Sequence, residues 1–72
     1  MPLEFTGDSC ATLTGTEFSA RGSKTGEFVA VNVSHDVFLE YGEERVKRKA
    51  SEKYDTGQMI GPLVSLRRRD FL

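Results

Sequence analysis

Gly26-Glu27-Phe28-Val29-Ala30-Val31-Asn32-Val33-Ser34, running on into His35-Asp36-Val37-Phe38-Leu39, is the stretch that decides the fold. Side chains alternate along a strand with period two, so Val29, Val31 and Val33 share one face. All three are β-branched and suit a pleated surface. Phe28 and Ala30 make the second face apolar as well, which predicts a central strand or one covered on both sides. Ser34 stands where a helix N-cap belongs. From Val37 the apolar spacing changes toward the helical period, with Val37, Phe38 and Tyr41 on one face and Leu39 beside it.

Working outward, Thr16, Phe18 and Ala20 form one face of an earlier strand within Leu13 to Arg21, and Glu17, Ser19 and Arg21 the other. Gly22-Ser23-Lys24-Thr25-Gly26 has the length and the glycines of a hairpin loop. On the far side of the helix start, Gly42 marks either a break or a kink. Glu43 to Tyr54 then reads as helix, with Val46, Ala50 and Tyr54 recurring every fourth residue. Glu43 with Lys47 and Glu44 with Arg48 are pairs four apart in the favourable order. Gly57 ends the helix. Leu63-Val64-Ser65-Leu66 reads as the last strand. Leu3 and Phe5 allow a further short strand at the start, but residues 1–12 are weakly patterned and are expected to be a partly mobile arm with Leu3 or Phe5 docked on the body. The expected fold is α+β: a small antiparallel sheet, β-β-α-α-β, with two helices packed on one face, in a single domain spanning residues 1–72.

The composition fits this reading. The chain has 72 residues, 38% of them apolar and 29% charged, which is ordinary for a globular protein. No apolar run approaches the ~20 residues that span a bilayer. Met1-Pro2-Leu3-Glu4-Phe5-Thr6 lacks the basic region and apolar segment of a secretory leader. Cys10 is the single cysteine and leaves no internal disulfide to form, so a reducing, cytoplasmic setting is expected. The net charge of −1 hides an asymmetry: residues 1–44 carry a net −6 and residues 45–72 a net +5. The simplest expectation is that the two halves fold together and partly neutralise each other.

Several short motifs from both halves are similar to those of a known family. Arg48-Lys49-Ala50-Ser51-Glu52-Lys53-Tyr54-Asp55-Thr56-Gly57, then Val64-Ser65-Leu66 and Asp70-Phe71, resembles small bacterial proteins grouped as domain of unknown function 1488. Met1-Pro2-Leu3-Glu4-Phe5, Phe18-Ser19-Ala20, Val29-Ala30-Val31 and Val33-Ser34 extend the likeness over nearly the whole chain. The resemblance implies a compact α+β fold and a bacterial source. It implies no activity, because that family has none assigned, and so transfers no functional residues.

Candidate sites are few. His35 is the single histidine and follows the expected cap, where the helix dipole disfavours an imidazolium. It is read as an exposed helix-start residue. One Cys and one His make no zinc site, and nothing near Cys10 lowers its pKa. The glycine-rich loops lack the spacing of a phosphate loop. No catalytic, metal or cofactor-binding residue is assigned, and the chain is not expected to be an enzyme. The cluster with functional promise is basic: Arg45, Arg48, Lys49 and Lys53 on one helix, with Arg67, Arg68 and Arg69 near the C-terminus. Such a stripe can neutralise phosphates, although basic runs are also common on solvated faces. The leading expectation is a non-enzymatic module that binds a protein partner or a second copy of itself. The alternative is a nucleic-acid-binding accessory protein using those seven cations.

Overall fold

The computed structural model describes residues 2–72. Their order is β1 (Leu3–Ala11), β2 (Gly15–Gly22), β3 (Phe28–Ser34), α1 (His35–Tyr41), α2 (Glu43–Asp55) and β4 (Leu63–Leu66), closed by a 3-10 turn at Arg68–Phe71. The strands form one sheet in the order β1-β2-β3-β4, and both helices contribute to a core on one of its faces. This is the expected α+β architecture. Gly42, with φ at 86°, divides the helical region into two.

The alternating valines build the core as read. Ala20 pairs with Val29, Phe18 with Val31 and Thr16 with Val33, while Val31 and Val33 pair on their other side with Val64 and Leu66. Val37, Val46, Ala50 and Tyr54 close over these rows, and Leu3 joins them from β1. Complete burial of a valine contributes about 1.5–3 kcal/mol relative to leaving it in water, so this row dominates the stability.

Three expectations are corrected. The sheet is mixed rather than wholly antiparallel, because β4 runs parallel to β3. A helical crossover returns the chain to the end of the sheet where β3 began, and that delivers a parallel neighbour. β3 is a central strand, the first of the two alternatives read from its apolar second face, and that face is left open: Phe28 on it is 54% exposed. The segment expected as an arm is paired strand over Leu3–Ala11, while Leu3 docks in the core as expected. Its alternation was hidden by a bulge, in which Thr6, Gly7 and Asp8 stand opposite the single residue Ser19. Lastly, Ser34 occupies the cap position without a capping side-chain bond. Its hydroxyl donates instead to the Asp36 carboxylate.

Candidate functional site

The two edges of the sheet are built differently. In β4, backbone groups alternate between β3 and the free side. The N–H and C=O of Leu63 both bond to Ile60, the Ser65 C=O accepts from Lys53 Nζ at 2.8 Å, and the Arg67 N–H donates to Asp70 at 2.7 Å. The β4 edge is therefore plugged by the chain itself. Lys53 and Asp70 also pair at 3.3 Å, with each side chain only 17% exposed. Burial pushes the Asp70 carboxyl up, but the Arg67 N–H and the Lys53 ammonium outweigh it and hold it below the ordinary carboxylate range.

The β1 edge has no such plug. Pro2 accepts a bond from the Ser23 N–H, so alternation turns the N–H and C=O of Leu3 and Phe5 away from β2 toward the open side. Around this edge lie Glu4, Asp8 and Glu17, none with a salt-bridge partner among the described residues. The charge asymmetry of the sequence is thus only partly neutralised by folding. Lys24 with Asp55, Lys47 with Glu43, and Arg68 with Asp36 and Glu40 are the ion pairs that join the two halves.

The seven candidate cations divide into two sets. Successive residues of a 3-10 turn point about 120° apart, so Arg68 and Arg69 diverge. Arg68 turns to α1 and binds Asp36 at 3.0 Å together with Glu40. These bonds lower both carboxyls: Asp36 through Ser34 first and then Arg68, Glu40 through Arg68 first and then Tyr41. Hydrogen bonding to Glu40 raises the Tyr41 hydroxyl. Tyr41 is therefore held in place, and it carries Phe71 stacked at 4.3 Å and 11° on its ring, with the Arg45 guanidinium at 5.2 Å.

The other six cations face a trough along α2. Arg45, Arg48 and Lys49 line a hollow of about 180 Å³ with Phe71. Lys49, Glu52, Lys53 and Asp70 line the next, about 330 Å³, and Lys53, Arg67, Arg69 and Asp70 the third, about 140 Å³. Adjoining hollows share lining residues, Lys49 and Glu52 and then Lys53 and Asp70, so the three lie side by side. Lys49 is paired with Glu52 at 2.9 Å; among the described residues Arg45, Arg48, Arg67 and Arg69 have no carboxylate within salt-bridge distance. The expected pair of Glu44 with Arg48 does not close. A separate cleft of about 330 Å³ at the ends of β3 and β4 is lined by Asn32, Ser34, Ser65, Arg67 and Arg68.

Sequence reasoning missed the Tyr41–Phe71 stack and the contrast between the two edges. The stack joins residues too far apart for any local pattern to link them. His35 and Cys10 are exposed, and among the described residues no group of His, Cys, Asp and Glu could hold a metal ion. No described helix is long and apolar enough to cross a membrane. The chain matches no family model, no curated protein and no solved structure.

Proposed function

We propose that the protein is a non-enzymatic interaction module that captures an extended, basic segment of a partner protein on the β1 edge. The observation that carries this reading is the contrast between the edges: β4 is closed by Ile60, Lys53 and Asp70, while Leu3 and Phe5 offer unused backbone groups. An added strand gains main-chain hydrogen bonds from such an edge, and side chains flanking it set the preference. Glu4, Asp8 and Glu17 supply that preference by favouring Lys and Arg in the partner. They also disfavour a second copy at this edge. Symmetric antiparallel pairing centred on Thr6 sets Glu4 of each copy against Asp8 of the other, and like charges in opposed positions are destabilising. The resemblance to the bacterial family named above is compatible with such a module and adds no activity to it.

Selection from a displayed library of random peptides tests the reading, followed by amide chemical-shift mapping of the selected peptides. The expected winners are extended, alternate Lys or Arg with other residues, and shift the amides of Leu3 and Phe5. Glu4→Lys with Asp8→Lys abolishes their binding while leaving the far-ultraviolet circular dichroism unchanged. Peptides that map to the helices or to β4, or a library that enriches nothing while the protein dimerises, would overturn it.

A further inference from the structure

We infer that the trough along α2 is a binding site for single-stranded nucleic acid, separate from the β1 edge and independent of what binds there. Three observations lead to it. First, Arg45, Arg48, Lys49, Lys53, Arg67 and Arg69 line three adjoining hollows, against which stand two carboxylates, Glu52 and Asp70. The trough is therefore net +4, in a chain whose overall charge is −1. Both carboxylates are already bound by lysines of the same trough, at 2.9 and 3.3 Å, so neither is free to repel an anion. The four arginines have no such partners among the described residues.

Second, the shape suits a strand rather than a point anion. On α2 the cations run from Arg45 to Lys53, about 12 Å at 1.5 Å per residue. A backbone with regularly spaced phosphates meets such a row; a single phosphate meets one or two of its members.

Third, the trough has an aromatic wall at one end. Phe71 lines the hollow that holds Arg45 and Arg48, and its ring is fixed by stacking on Tyr41. Arg68 provides the fixing on the far side. By binding Asp36 and Glu40 it ties the 3-10 turn to α1, and Glu40 in turn holds the Tyr41 hydroxyl. A rigid ring beside a row of cations is the combination that receives a base and its phosphates together. An acidic polypeptide would use the cations and leave Phe71 without a role.

Fluorescence anisotropy with a short labelled oligouridine tests the inference on the full chain. About four phosphates neutralised give a slope near −3 in log affinity against log salt, so affinity falls about 50-fold between roughly 50 and 200 mM salt. Arg48→Ala weakens binding several-fold and makes that slope shallower by about one phosphate contact. Arg67→Ala acts likewise, while Lys47→Ala, outside the trough, leaves affinity unchanged. An abasic strand with the same phosphates binds at least about ten-fold more weakly, because base–aromatic contacts are lost. Circular dichroism confirms that each variant is folded. Absence of binding at about 50 mM salt, or polyglutamate or the abasic strand binding as tightly as oligouridine, overturns the inference.

Discussion

Gly15 gives the sharpest test of the packing between β2 and β3. It opens β2 opposite Ser34, and a β-carbon placed on it would lie 1.9 Å from the Val33 carbonyl oxygen and 2.8 Å from the Ser34 α-carbon. Those are backbone atoms of the central strand, so no side chain can rotate aside. Gly15→Ala therefore forces β2 and β3 apart by more than an ångström at the end of their ladder, beside the buried Val33. Overpacking of this kind costs about 3 kcal/mol. A chain of this length has roughly 4–11 kcal/mol in total, at about 0.05–0.15 per residue. The loss should lower the melting temperature by about 12–24 °C, at 4–8 °C per kcal/mol for a domain of this size. Gly7→Ala is the matched control: Gly7 has φ at 92° but nothing within 4 Å of the added carbon. Its cost is conformational and near 1 kcal/mol. Urea denaturation of both variants reads the difference directly. Gly15→Ala losing no more stability than Gly7→Ala would refute the close approach of Val33 to Gly15.

Two further outcomes concern the plugged edge. Asp70 has a folded pKa below its unfolded value, so its contribution is complete above about pH 4 and is lost as pH falls through the folded value. Urea titrations from neutral to acid pH should show stability falling below about pH 4, and Asp70→Asn should be less stable at neutral pH and fall less steeply in acid. Lys53→Met removes the cation from Asp70 and the donor from the Ser65 carbonyl. It should cost about 2 kcal/mol and expose an unsatisfied edge, raising the apparent mass in light scattering with concentration. A variant that stays monomeric and fully stable would show that the edge needs no plug.

The parts of this fold that were legible in the chain are those whose signal is local. Val29, Val31 and Val33 announce their strand because period two is visible within five residues. Val46, Ala50 and Tyr54 do the same for α2, and Gly57 ends it as its residue type foretells, with φ at 76°. β1 was obscure because three residues bulge opposite one, which shifts the alternation midway. The direction of β4 is not written in Leu63-Val64-Ser65-Leu66; it follows from how the two helices return the chain. The candidate cations were visible one by one. Their division was not, since Arg67-Arg68-Arg69 reads as one run until the 3-10 turn separates Arg68 from its neighbours. Leu39 was read beside the apolar helix face, yet it is 82% exposed, because α1 is too short to bury more than one stripe.

The parallel partnership of β3 and β4 also sets a timetable for synthesis. The β1-β2-β3 meander needs only neighbouring residues and can zip up as it emerges, whereas β4 must wait for the whole crossover, residues 35–62, to be made. During that interval the β4 side of β3 is bare at the backbone of Ala30 and Asn32, and Lys53 has no carbonyl to hold. A ribosome that stalls within the crossover therefore leaves a nascent chain with a sticky flank, the kind of half-made sheet that chaperones recognise and that seeds misassembly when they are absent.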